Sequence, residues 1–291
     1  MKISVAVLML FCLCSCEKNI DFNLKTAEPV LVADAQIENG EAPVVVLTKS
    51  LGYFSKIDPQ ILAGSFIRNA EVTISNGTRT HRLKEYGIPL APGFTAYFYS
   101  NDPANPTTLF NGELNKNYSL QILSEGKTYT ATTTIPANNI SLDSIWVRVA
   151  PQNPDTAKRV LFLQATDPSG LGNYGRYFTK LNSERFLPGE NSVFEDQVID
   201  GTTFSAQLPK GIDRNDPPKP DSNFFRRGDT ITMKFCNISR ESFRFWSTWE
   251  FAFQGIGNPF AQPNKVIGNI SNGALGAFCG YAVQYKRIVA Q

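Results

Sequence analysis

The sequence predicts a mainly β protein: a sandwich in the first half, then a second β-rich part carrying one amphipathic helix. Three observations lead there. Short runs alternating apolar and polar residues recur down the chain, bounded by Gly, Pro, Asn and Asp, which is the pattern of half-buried strands between turns. Phe (21) and Tyr (10) are abundant, and flat aromatic side chains suit a pleated, half-covered surface. Only one stretch, about 240–254, repeats its aromatics at helical spacing.

The elements follow in order. Residues 30–33, 44–48, 70–75 and 79–83 read as strands. Asn76-Gly77 between the last two is a hairpin signal, because type I′ turns need positive φ. Residues 95–99 read as another strand. Residues 118–123 and 128–135 alternate on either side of Ser-Glu-Gly-Lys and form the clearest hairpin. Short strands at this spacing point to an immunoglobulin- or transthyretin-like sandwich over 28–136. Pro136-Ala-Asn-Asn reads as a boundary to a second domain, 137–291. There 143–149, 159–166, 174–181 and 230–236 read as strands, and Asp167-Pro-Ser-Gly as a turn. Residues 209–223 form a polar loop with Pro209, Pro217, Pro218 and Pro220.

The helix expected near 240–254 has Ser239 as N-cap and Glu241 in its first turn, where the dipole favours an acid. Phe243, Trp246, Trp249 and Phe253 share one face, read as a core stripe in preference to a ligand platform. Gly255 and Gly257 stop the helix. The following glycine-rich segment is expected to end in a core strand. Phe260, Val266, Ile267, Ile270, Leu275, Phe278 and Tyr281 carry too much apolar surface for a removable tail.

The N-terminus reads as an export signal. Lys2 precedes an apolar stretch over 3–13, the length of a secretory signal core and too short to span a membrane. It ends in Leu13-Cys14-Ser15-Cys16, which resembles a bacterial lipobox. Residues 1–15 are then a signal peptide and Cys16 takes a diacylglyceryl thioether, while 16–27 form a tether. Several acyl chains on one Cys hold a protein stably to a membrane. No later apolar run approaches the ~20 residues of a spanning helix.

Charge and motifs exclude several classes. A formal net charge of +2 with no basic stripe gives nucleic acid nothing to bind. His81 is the only histidine and lies in a polar alternating run, read as a solvated strand position. No Ser-His-Asp, HExxH or nucleophile-elbow pattern accompanies it. Gly170-Leu-Gly-Asn-Tyr-Gly175 matches GxGxxG, but no helix pattern follows it, so it reads as a turn. Asp213, Asp216 and Asp221 read as a solvated loop, lacking the spacing of a calcium loop. The expectation is a protein without catalytic residues, cofactor or metal. Cys236 and Cys279 leave two alternatives open: a disulfide in an oxidising compartment, or two buried free thiols. Asp143-Ser144-Ile, Asp155-Thr156-Ala and Asp229-Thr230-Ile resemble a short O-glycosylation signal, with Thr156 the most accessible of the three.

Several further stretches stand out: Cys16-Glu-Lys-Asn-Ile-Asp, Glu28-Pro-Val-Leu-Val, Tyr118-Ser-Leu-Gln-Ile with Gly126-Lys-Thr-Tyr-Thr-Ala, and Asn173-Tyr-Gly-Arg-Tyr. The most specific are Asn258-Pro-Phe-Ala-Gln-Pro and Asn269-Ile-Ser-Asn-Gly-Ala-Leu-Gly-Ala-Phe-Cys-Gly-Tyr. In these the chain resembles a Bacteroidota family of lipoproteins of unknown function, usually encoded beside SusC-like TonB-dependent transporters. Such proteins often carry an aromatic pair where this chain has Tyr174-Gly175. The resemblance implies a lipid-anchored outer-membrane protein assisting a transporter in nutrient capture, and it supplies no catalytic residues. The alternative expectation is a free-standing surface adhesion or ligand-binding module.

Overall fold

The computed structural model describes residues 28–52, 58–151, 153–216, 223–258, 260, 262 and 264–291. The signal peptide, Cys16 and the tether lie outside the described residues, as does Asp221. Among the described residues no helix is long and apolar enough to cross a membrane.

The chain is mainly β. Its first part comprises β1 (Leu31–Glu38), β2 (Val44–Lys49), α1 (Pro59–Ser65), β3 (Glu71–Ser75), β4 (Thr80–Arg82), β5 (Lys84–Ala91), β6 (Phe94–Ser100), β7 (Lys116–Ser124) and β8 (Lys127–Ile135). Its second part comprises β9 (Ser141–Val149), β10 (Lys158–Thr166), β11 (Tyr174–Leu181), β12 (Leu187–Glu195), β13 (Thr203–Leu208), β14 (Phe225–Arg226), β15 (Thr230–Ile238), α2 (Arg240–Gln254) and β16 (Leu275–Val289).

One eight-stranded sheet, ordered β12-β11-β15-β16-β1-β2-β6-β5, runs through both parts. Two four-stranded sheets pack on one of its faces: β4-β3-β7-β8, and β13-β10-β14 with β9 beside β10. Pro136 therefore marks the change from one small sheet to the other, while the large sheet continues across it. The join is β16, which pairs in parallel with β1 over 275–281 and antiparallel with β15 over 281–289.

Side-chain alternation builds the two sheet-on-sheet cores. Ala33, Ala35 and Ile37 of β1 meet Leu120 and Ile122 of β7, with Phe278 of β16 in the same cluster. Further along, Met233 and Phe235 of β15 meet Leu163 and Ala165 of β10. Gly280 is a point of close approach: a Cβ there would lie 2.3 Å from the Thr134 carbonyl oxygen of β8. The opposite face of β15 and β16 carries Cys236, Ile238, Ala277, Cys279 and Tyr281, and α2 covers it.

The helix spans the expected residues. Ser239 Oγ accepts from the Ser242 amide (3.2 Å). A second helix, α1, was not anticipated; it starts at Asp58, whose carboxylate caps the Ile61 amide (2.8 Å), with Pro59 at its first position. The Asn76-Gly77 hairpin uses positive φ at Gly77 alone (+89°), whereas Glu125 (+50°) and Gly126 (+74°) both adopt it, as a type I′ turn requires.

Candidate functional site

The helix α2, the outer face of β1 and the glycine-rich segment before β16 enclose a cleft of about 1060 Å³. Each wall follows from local sequence. The helical repeat of aromatics puts Phe245, Trp246 and Trp249 along one side. Phe245 is buried, while Trp246 and Trp249 are half-buried, packing on the sheet and facing the cleft. The expected core stripe thus also forms a wall.

The second wall is held by side-chain amides and hydroxyls in place of regular structure. Asn269 bonds both the N–H and carbonyl of Phe278 (2.8 and 2.9 Å) and the carbonyl of Thr132 (3.0 Å). Ser271 Oγ accepts from the Thr130 amide (2.7 Å), and Asn272 donates to the Thr128 carbonyl (3.3 Å). On the other side the Ile267 amide donates to Thr248 Oγ1 of α2 (3.0 Å). Asn269-Ile-Ser-Asn, part of the most specific stretch of the resemblance, is therefore a seam joining β8 and β16, and Ile267 just before it ties the segment to α2. The apolar content of the segment divides: Val266 and Ile270 pack inward, but Phe260, Ile267 and Leu275 are exposed. Three of the seven apolar side chains expected to hold the segment in the core thus stay at the surface, while β16 itself is central in the large sheet.

Asp34 lies on the floor. It alternates with Ala33 and Ala35 on β1 and so faces away from the sandwich core. Its side chain is exposed in the cleft, and desolvation by the protein around it raises its carboxyl above the ordinary aspartate range, with the positive charge of Arg176 partly offsetting the rise.

Behind the aromatic wall runs a buried polar chain. The Arg176 guanidinium lies 3.4 Å from the Trp246 ring centroid and donates to the Tyr281 hydroxyl (3.0 Å) and Ser192 Oγ (3.1 Å). Trp246 Nε1 donates to the same Tyr281 hydroxyl (2.8 Å). Ser192 donates through Oγ (2.5 Å) and N–H (2.9 Å) to Glu250, which also accepts from Arg214 (2.8 Å). Arg214 in turn stands 4.8 Å from the Trp249 ring centroid. Guanidinium groups thus fix both tryptophans from behind, through cation–π contact.

The other sequence-derived candidates scatter. Cys236 and Cys279 are free and buried. Cys236 stands opposite Val283, four residues from Cys279, or roughly 13 Å along a strand. A disulfide needs Cα atoms within about 7 Å, so the structure takes the free-thiol alternative and the bridge is absent. Thr156 is exposed in the β9–β10 turn, whereas Ser144 and Thr230 are half-buried in strands. Asp213 pairs with Arg185, and the Asn215 amide, with Arg185, holds its carboxyl low.

His81 is a correction. It is fully buried, not solvated. Its Nε2 accepts from the Asp102 amide (2.9 Å), which leaves Nδ1 to donate to Thr108 Oγ1 (2.8 Å). The polar residues around it hid this, because only the side chain at 81 points inward on β4. Gly170–Gly175 is a turn running into β11, with positive φ at Gly170 and Gly172 and no helix at the third glycine. At Gly175 a Cβ would strike the Phe194 ring at 2.2 Å, so that ring occupies the space a second aromatic would take.

Fold and cleft together define a mainly β, sandwich-type protein with one aromatic-walled cleft built on its large sheet. The chain belongs to the family described as Domain of unknown function (DUF4249), whose model matches residues 17–287. No curated protein matches it.

Proposed function

We propose that this chain is a lipid-anchored accessory protein of a TonB-dependent outer-membrane transporter, holding a small ligand in the α2–β1 cleft without catalysis. The cleft is the observation that carries the binding half of the reading. Its volume fits a small organic molecule, and its lining combines apolar and aromatic walls with one solvent-accessible carboxylate. Trp246 and Trp249 suit a flat or apolar face of a ligand, and Asp34 suits a cation or hydrogen-bond donor beside it. The lipobox at Leu13–Cys16 and the family resemblance support the anchor and the transporter.

Two measurements test the halves separately. Cys16→Ala should abolish labelling with a palmitate analogue and release the protein from the outer membrane; retained labelling and retained membrane partitioning would overturn the anchor. A C-terminal tag, pulled down in mild detergent, should recover an outer-membrane barrel, and its absence would count against the transporter. The cleft is complete within one chain, which also favours a second reading: a free-standing ligand-binding lipoprotein. Under that reading no barrel is recovered, while ligands still quench the tryptophan fluorescence of the wild type and not of Trp249→Ala.

A further inference from the structure

Outside the cleft lining, two loops meet at one end of the second sandwich: 167–173 between β10 and β11, and 196–202 between β12 and β13. The Asp167 amide donates to the Thr202 carbonyl (2.9 Å) and the Asp196 amide to the Asn173 carbonyl (3.2 Å). Three carboxylates converge there. One oxygen from each of Asp167, Asp196 and Asp200 lies within 4.8 Å of the other two. We propose that these three aspartates form a binding site for a divalent cation of the calcium class.

Convergence of acids alone would not carry this. The second observation is Asp167 itself. It is only 2% exposed, and its Oδ1 is buried without a hydrogen-bond partner. Its other oxygen accepts the long Gly201 amide bond (3.4 Å), with the Asn173 side chain close beside the carboxylate. Asp196 is equally buried, and among the described residues no Lys or Arg forms an ion pair with any of the three. A buried carboxylate with two acidic neighbours and an orphaned oxygen needs a positive charge or a proton. Asp196 accepts from the Gly172 and Asn173 amides (2.8 and 2.7 Å), and Asp200 from the Gly170 amide (2.6 Å). These bonds fix the carboxylates in place and leave each with a second oxygen for a ligand.

Hard carboxylate oxygens without imidazole or thiolate select calcium or magnesium over zinc or copper. The carboxylates come from two loops and leave room for water, which suits the six to eight flexible ligands of calcium better than the strict octahedron of magnesium. The bound ion would tie the small sheet to the large one through their loops.

The rival occupant is a proton shared between Asp167 and a neighbour. Calorimetric titration of the chelator-treated mature chain with Ca²⁺, alongside thermal melts, separates the two. The proposal expects one ion per chain and a melting midpoint raised by roughly 5 °C at a hundredfold excess over Kd, with Mg²⁺ weaker. Asp167→Asn and Asp200→Asn should each abolish the shift. Asp200 is exposed, so its variant carries the test if Asp167→Asn fails to fold. No heat and no shift at about 10 mM Ca²⁺, well above the range of extracellular calcium modules, would overturn the site. So would a shift that survives in Asp200→Asn.

Discussion

Two groups of buried charge, both in the second half of the chain, are built on opposite terms. Around Glu250 the buried carboxylate has its counterpart on the chain. The carboxylate is 4% exposed, but it accepts from Arg214 and from both donors of Ser192, and Arg176 continues the chain to Tyr281. Around Asp167 three acids converge and the described chain offers no cation. Burying an ion costs several kcal/mol unless a partner and hydrogen bonds compensate. The first group meets that cost from its own sequence and the second does not. The difference separates a structural network, which holds the tryptophans of the cleft from behind, from a site left open to something outside the chain.

The largest expected effect follows directly. Glu250→Ala leaves Arg214 buried against Trp249 without its carboxylate, and should cost about 3–5 kcal/mol in urea unfolding. Asp167→Asn, measured in chelator, removes a charge that has no counterpart and should cost less than about 1 kcal/mol or stabilise. Equal losses in the two variants would show that Asp167 is compensated after all and erase the contrast. Retained stability in Glu250→Ala would show the opposite error, a network that contributes little.

A smaller effect concerns a third way to bury a titratable group, which is to keep it neutral. His81 is enclosed, and burial lowers its pKa from 6.5, with the nearby Asp102 acting weakly the other way. The unfolded chain takes up a proton near pH 6.5, while the native ring stays neutral until lower pH. The stability tied to this difference is therefore complete above pH 6.5 and is lost as pH falls from there toward the native value. Unfolding free energies at pH 7.5 and 5.5 should differ more in the wild type than in His81→Gln. Identical pH slopes would mean that the ring is not held neutral.

What could be read from the sequence tracks how strongly each segment is constrained by burial on one face. The β7–β8 hairpin alternates buried and exposed residues almost without exception, and its strands were legible to within two residues. The strands that escaped are mostly edges. In β5 almost every side chain is exposed and Pro89 sits at a position only an edge strand tolerates. In β12 Pro188-Gly189 and a register shift break the alternation. The cleft was half legible. The aromatic face of α2 was visible, but its second use as a wall depends on Asp34, 212 residues from Trp246 in sequence, and on asparagines whose role appears only once β8 and β16 lie side by side. The acidic group was invisible for the same reason, since Asp167 and Asp196 come from separate loops. Asp167-Pro and Gly170–Gly175 in the first of them read as turns, with no sign of the partner loop.

The smallest expected effect at neutral pH belongs to the two cysteines, and it closes the comparison, because here burial is met by a group that carries no charge at all. Burial pushes the Cys236 thiol up to about 12 and raises that of Cys279. Both stay protonated, and the thiolate is the reactive form. In a soluble chain beginning at residue 17 these are the only cysteines. A thiol reagent at pH 7.5 should therefore label neither in the native protein and both after unfolding without reductant. Ordinary thiols in the unfolded chain ionise near 9.0, so the stability tied to these two thiols should be lost only as pH rises above that value, and Cys236→Ala should flatten that alkaline loss. Labelling of two thiols in the native state would place Cys236 and Cys279 at the surface of the α2 side of the sheet. Labelling of none after unfolding would mean a bridge. That would require β16 to slide four residues against β15, carrying Tyr281 away from Arg176 and Trp246, and would undo the wall of the cleft together with the register.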